Sequence, residues 1–78
     1  MITEIERFIA TVDRGSFTKA SQILFLTQPA LSLSIAILEK EIGVKLFKRI
    51  GKHLVLTKDG ILLIVVHKNL LLTLHIFL

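Results

Sequence analysis

The sequence predicts a mainly α-helical protein with one small β-hairpin, and three observations support this fold class. Apolar residues recur at helical spacing over 2–14, 17–24 and 28–42. Glycines follow the first and the last of these stretches, where a left-handed residue commonly ends a helix. Beyond them, two short β-prone segments flank a basic turn. With 78 residues, 53% of them hydrophobic and none cysteine, we expect one small folded domain without disulfides.

The first two helices are short and amphipathic. In helix 2–14 the apolar side consists of Ile2, Ile5, Phe8, Ile9 and Val12, and we expect Thr11 on the polar side. Ser16 is a suitable N-cap for the second helix, 17–24. We expect that helix to turn four side chains inward, namely Phe17, Ala20, Ile23 and Leu24. The small Ala20 and Ser21 would let another helix approach closely.

The third helix is predicted over residues 28–42 and ends at a glycine. Pro29 fits its first turn, where a missing N–H removes no helical hydrogen bond. A rotation of about 100° per residue defines a core face made of Leu31, Ile35, Leu38 and Ile42. The same rotation points Leu33 and Ile37 away from the core, and it leaves Ser34 open between solvation and a binding role.

A three-residue turn, 25–27, separates the second and third helices, with Thr27 or Gln28 as the next N-cap. A short helix, a tight turn and a longer helix make a helix-turn-helix, which projects the start of its second helix into the DNA major groove. Gln28 is suited to adenine, and Ser32 can donate or accept. An exposed Leu33 is reasonable against a thymine methyl group.

Basic charge is concentrated in the middle of the chain. Residues 1–27 carry three basic and three acidic side chains, whereas residues 28–57 carry five basic and two acidic ones, within a net charge of +4. A basic region that coincides with a binding motif indicates a nucleic-acid partner. At the start of the second helix, Ser16, Thr18 and Lys19 are expected to meet the phosphate backbone.

The predicted hairpin lies between residues 44 and 56, and its turn contains a glycine at position 51. Lys48, Arg49 and Lys52 surround this turn, so the hairpin is a basic wing. A last helix is expected to begin near Lys58.

Residues 2 to about 60 resemble the DNA-binding domain of LysR-type transcriptional regulators. The resemblance lies in GSFTKASQIL (15–24), in TQPALSLSI followed by LE (27–39), in GVKLFKR (43–49) and in LT (56–57). These motifs follow one another without a gap in register, which is more specific than a helix-turn-helix pattern alone.

The resemblance implies a bacterial winged helix-turn-helix that binds double-stranded DNA as a homodimer or a higher homo-oligomer. At matching positions, the residues expected to meet base edges are Gln28, Pro29, Ala30 and Ser32. Lys52 is expected to reach toward the minor groove, and Thr18 and Arg49 to lie near phosphates. Thr27 and Leu33 complete the expected set of DNA-binding residues.

The chain also departs from the family pattern. Position 33 is often basic or an amide in the family and position 36 is often basic, whereas this chain has Leu33 and Ala36. The family's effector-binding domain is absent, so we expect no small-molecule effector site and no cofactor in this chain.

The segment 58–78 corresponds to the family's linker helix, which pairs subunits, and we divide the chain into a DNA-binding part, 1–57, and this helix. From residue 61 onward, 13 of 18 residues are apolar, and a helix apolar on all sides must be buried somewhere. We therefore expect dimerisation through Ile61, Leu62, Val65, Leu70 and Leu72. The alternative, a membrane span, is disfavoured by His67, Lys68 and Asn69 in its middle.

Other functional classes find little support in the sequence. Nothing near Ser32 or Ser34 supplies the base and acid that a nucleophile needs, so we do not expect an enzyme. The imidazoles of His53, His67 and His75 lack a second ligand at close spacing, so we expect no metal site. A cytoplasmic transcription regulator is the leading interpretation. A protein-interaction module of the same fold and a small membrane-associated protein are the alternatives.

Overall fold

The computed structural model describes the backbone of residues 3–51 and 53–77 and the side chains of residues 3–51 and 54–69. In this part of the chain the elements follow the order α1 (Glu4–Arg14), α2 (Phe17–Ile23), α3 (Gln28–Ile42), β1 (Phe47–Ile50), β2 (His53–Leu56) and α4 (Lys58–Phe77). The predicted fold class, mainly α with a small β wing, is confirmed. The chain forms two compact units, Met1–Gly43 and Val44–Leu78.

Hydroxyl N-caps begin the three helices of the first unit. The side chains of Thr3, Ser16 and Thr27 each accept a hydrogen bond from a backbone N–H in the first turn of the helix that follows, at 3.2 Å in every case. Gly15 and Gly43 end α1 and α3 with φ of 67° and 77°, the left-handed conformation that glycine adopts most readily. The predicted starts and ends of these helices are therefore confirmed to within two residues.

The core of the first unit is built mainly from one side of each helix. Its buried apolar side chains are Phe8, Ala20, Leu31, Ile35 and Leu38. Thr11, Ser21 and Ser34 are buried with them, and each makes a hydrogen bond. The prediction that Thr11 faces solvent was wrong: its hydroxyl donates to the Arg7 carbonyl 2.8 Å away, which removes the cost of burying it.

Two predicted core residues, Ile23 and Ile42, are instead exposed by 47% and 43%. Each is the last residue of its helix. Both lie beyond the buried part of their helices, because the last buried residue of α2 is Ser21 and that of α3 is Leu38. Periodicity identifies the inward side of a helix but does not show how far the neighbouring helices extend along it.

The turn between α2 and α3 contains a left-handed residue that is not glycine. Phe25 has a φ of 57°, and its side chain is 95% exposed. Hydrogen bonds from the N–H of Phe25 to the Gln22 carbonyl (3.2 Å) and from the N–H of Leu26 to the Ser21 carbonyl (2.8 Å) close this turn. These bonds direct the chain sharply from α2 into α3.

In the second unit, β1 and β2 pair antiparallel, from Phe47 opposite Leu56 to Ile50 opposite His53, around the left-handed Gly51. The predicted basic hairpin is therefore confirmed. Leu46 is fully buried.

The start of α4 is held by Thr57. Its hydroxyl donates to the Lys45 carbonyl (2.5 Å) and accepts from the N–H of Gly60 (3.0 Å), while its own N–H donates to the Leu46 carbonyl (3.0 Å). Gly60, in the first turn of α4, lies buried against Leu46. Glycine is required there because the Leu46 carbonyl oxygen lies too close to leave room for a Cβ atom. Within the described residues, no helix is by itself long and apolar enough to cross a membrane.

Candidate nucleic-acid interface

The candidate site begins with the first turns of α3. Pro29 lies in the first turn, and α2 and α3 meet at an angle of 100°, within the range of helix-turn-helix pairs. Of the site residues predicted for this segment, the exposed ones are Thr27, Gln28, Pro29, Ser32 and Leu33, while Ala30 is half-buried. These residues lie close together at one end of the unit, as predicted. Whether they contact DNA remains a prediction.

A hydrogen bond joins the two helices at this end. The Gln28 Nε2 donates to the Thr18 Oγ1 at 2.9 Å, across a separation of ten residues in sequence. Both side chains are exposed, so the bond orients the Gln28 amide without burying it. The bond uses one of the two amide N–H groups and leaves the second N–H and the Oε1 available.

The groups that Gln28 retains match the major-groove edge of adenine. Adenine presents an acceptor, N7, beside a donor, the N6 amino group, and a glutamine amide meets both through one N–H and its carbonyl oxygen. Thr18, as an acceptor toward Gln28, keeps its own hydroxyl proton for an acceptor such as a phosphate oxygen. The pair can therefore contact a base and the backbone at the same time.

The opposite side of α3 is anchored to the rest of the unit. Leu31, Ile35 and Leu38 are buried, as predicted, which sets the rotation of the helix about its own axis. Ser34 is buried too, and its Oγ accepts a hydrogen bond from the Arg7 guanidinium at 2.5 Å. A role for Ser34 in solvation or groove contact is thus overturned, because its hydroxyl is directed at α1.

In the second unit, Arg49 lies exposed on β1 opposite Leu54, and Lys48 is exposed beside it. Lys52, the predicted minor-groove residue, lies outside the described residues. A guanidinium on a hairpin can bind a phosphate in a bidentate manner.

Only some of the predicted dimerisation residues of α4 have side chains that the structure describes. The side chains of Ile61, Leu62 and Val65 are between 48% and 59% exposed, which agrees with an apolar surface on this helix. The side chains of Leu70 and Leu72 lie outside the described part of the chain.

Two features of the site were not predicted. The sequence analysis treated Thr18 and Gln28 separately, although Thr18 is in the first turn of α2 and Gln28 begins α3, which brings them together once the turn is known. The Arg7–Ser34 hydrogen bond could not be predicted, since an arginine on a polar helix side usually indicates only solvent exposure.

A helix-turn-helix with an exposed polar leading end, followed by a basic two-stranded hairpin, defines the winged helix-turn-helix class of DNA-binding domains. The model of the family described as "Bacterial regulatory helix-turn-helix protein, lysR family" matches residues 2–61. The chain therefore belongs to the LysR family.

Curated relatives agree with this assignment. Over 59 residues the chain is 44% identical to an HTH-type transcriptional regulator in the ibpB-leuC intergenic region of Azotobacter vinelandii, a match that covers 76% of this chain and 41% of the relative. It is also 43% identical over 67 residues to the HTH-type transcriptional activator CmpR of Synechocystis, covering 86% of this chain and 22% of CmpR. The chain thus spans less than half the length of these relatives.

Solved structures agree as well. A LysR-family transcriptional regulator from Eggerthella lenta superposes with a TM-score of 0.79 at 38% identity, covering 83% of this chain and 93% of that one. The BenM_DBD/catB site 1 DNA complex superposes with a TM-score of 0.78 at 32% identity, covering 95% of this chain and 82% of that one.

Proposed function

We propose that this chain binds double-stranded DNA in a sequence-specific manner and regulates transcription, with the first turns of α3 in the major groove. The observation that carries the proposal is the exposed Gln28 amide, oriented by Thr18 and complementary to adenine. Membership in the LysR family and the resemblance to a DNA complex support it. The relatives named above are transcriptional regulators, and we propose a regulatory role without catalysis for this chain.

The individual roles follow from exposure and chemistry. Gln28 and Ser32 contact base edges, and Pro29 and Ala30 let the backbone of the first turn approach the groove. Thr18 and Arg49 contact phosphates, which position the protein without reading sequence. Lys52 in the minor groove remains a prediction from the family resemblance.

The Gln28→Ala variant should lose about 1–3 kcal/mol of binding free energy, about five- to two-hundredfold, on a duplex selected from random DNA for tight binding. The loss should be much smaller on a random duplex, because alanine removes a base contact and leaves the phosphate contacts intact. Fluorescence anisotropy with both duplexes at several salt concentrations measures the effect. Thr18→Val, which keeps the shape of threonine without its hydroxyl, should give a smaller loss in the same direction.

Arg49→Ala is the matched control, since it removes an exposed phosphate-binding candidate in place of a base-binding one. It should weaken binding to both duplexes equally and lower the slope of log affinity against log salt by about one. Equal losses for Gln28→Ala on the two duplexes would contradict the base-reading role. An affinity for DNA that does not fall as the salt concentration rises would favour the alternative, a protein-interaction module.

We further propose that the chain forms a homodimer through α4. Ile61 and Val65, and likewise Leu62 and Val66, lie one helical turn apart and are about half exposed. Four adjoining aliphatic side chains in contact with water favour burial against a second copy of the same helix.

The dimer proposal predicts that Leu62→Glu combined with Val66→Glu yields a monomer, because two carboxylates would have to enter the apolar interface. Sedimentation velocity at tens of micromolar protein measures the change. Ile23→Glu, at an exposed isoleucine on α2, should leave the dimer intact. A monodisperse wild-type monomer under these conditions would refute the proposal.

A further inference from the structure

The outward side of α3 carries an unusual run of apolar residues, which we call the outward stripe: Pro29, Leu33, Ala36 and Ile37. All four are exposed, Leu33 by 62% and Ile37 by 41%. At about 100° per residue they lie on the side of α3 opposite the buried Leu31. The stripe therefore leaves a large share of its apolar surface open to a ligand.

The residues around the outward stripe also restrict which bases this side of α3 can read. Residues 28–38 contain no charged side chain, and the first charges on α3 are Glu39 and Lys40. Guanine is read in the major groove chiefly by arginine or lysine, and neither is present in these first three turns. The polar side chains that remain available are Gln28, which is suited to adenine, and Ser32, whose hydroxyl can donate or accept a hydrogen bond.

A major groove rich in A·T pairs fits this surface better than a protein partner does. Thymine is the base that presents an apolar group, the C5 methyl, in the major groove. Ser32 directly precedes Leu33 on this exposed part of α3, and the stripe has no carboxylate that would repel phosphates.

We propose that the outward stripe reads thymine methyl groups, with Leu33 and Ile37 as the specificity-determining residues. The half-site that this chain prefers is then built from A·T pairs, the adenine being read by Gln28 and nearby thymines by the stripe. This inference rests on the proposed DNA-binding function and specifies which bases the chain selects.

The test removes single methyl groups from DNA. Duplexes selected from random sequence by the full chain are resynthesised with deoxyuridine in place of each thymidine in turn, which deletes the C5 methyl and preserves base pairing. At one or two positions the wild-type chain should lose about fourfold in affinity, as expected for about 0.8 kcal/mol per buried methyl group. Leu33→Ala should bind the thymidine duplex more weakly and should no longer distinguish uridine at one of those positions. Ile37→Ala should do the same at the other.

Ile23→Ala is the matched control, because Ile23 is an exposed isoleucine on α2, and its variant should keep the full thymidine preference. Circular dichroism of each variant confirms that it is folded. Tight, specific binding without any effect of uridine would overturn the thymine proposal alone. An undiminished uridine effect in both Leu33→Ala and Ile37→Ala would overturn it as well. Failure to select any sequence from random DNA would instead contradict the proposed function, and the thymine inference with it.

Discussion

Leu31→Ala should lower the free energy of unfolding by about 2–5 kcal/mol, the range for a buried leucine truncated to alanine. Leu31 is fully buried between the helices of the first unit, so the variant loses its apolar contacts and leaves a cavity. A protein of this size has a total stability of about 4–12 kcal/mol, so the variant would be largely unfolded at the lower end of that range and measurably less stable at the upper end. Urea denaturation followed by far-ultraviolet circular dichroism measures the change.

Leu33→Ala is the internal control for this experiment. It is the same substitution, two residues further along the same helix, at a side chain that is 62% exposed. Its unfolding free energy should remain within about 0.5 kcal/mol of the wild type. Equal destabilisation by the two variants would contradict the orientation of α3, and with it the interface built on that orientation.

Gly60→Ala should destabilise the protein by about 2–3 kcal/mol, although glycine to alanine within a helix ordinarily stabilises by about 1 kcal/mol. A Cβ at position 60 would lie 2.4 Å from the Leu46 carbonyl oxygen and 3.0 Å from the Leu56 Cδ2. That carbonyl also accepts the N–H of Thr57 at 3.0 Å, so it cannot retreat without breaking a backbone hydrogen bond. The steric term therefore exceeds the gain in helix propensity.

Comparing the thermal unfolding of Gly60→Ala with that of Lys58→Ala separates the steric effect from the effect of helix propensity. Lys58 is exposed in the same first turn of α4, and its replacement tests helix propensity without the contact to Leu46. We expect a lower melting temperature for Gly60→Ala and little change for Lys58→Ala. A higher melting temperature for Gly60→Ala would show that α4 does not approach the backbone at Leu46 so closely.

Local sequence rules predicted most of the helical framework. The cap at Ser16 and the left-handed glycines at the ends of α1 and α3 depend on neighbouring residues only, and these were predicted correctly. For the third cap the sequence left two candidates, and the structure has Thr27. Errors occurred where a second element decides the outcome. Ile42 belongs to the apolar period of α3 but lies one turn beyond Leu38, the last buried residue of that helix. Ser34 was left open because its partner, Arg7, is 27 residues away.

In the candidate site, too, some features were predicted from the sequence and others depend on contacts between helices. The sequence was sufficient to single out Gln28 and Ser32 as polar residues at the start of a recognition helix, and Leu33 as an apolar residue that faces outward. It could not reveal that Thr18 holds the Gln28 amide, because that contact depends on the angle at which α2 meets α3. Nor could it assign Gly60 a role, since glycine is only weakly informative within a helix.

By itself, the sequence determined the type and order of the elements, the two helix-ending glycines, the basic hairpin and the family. All of these depend on interactions within a few residues or on a motif matched position by position. Only the tertiary structure decided which polar groups are buried, which amide is oriented toward a ligand and where a backbone carbonyl excludes a side chain. These depend on the distances between elements remote in sequence, which no local pattern encodes.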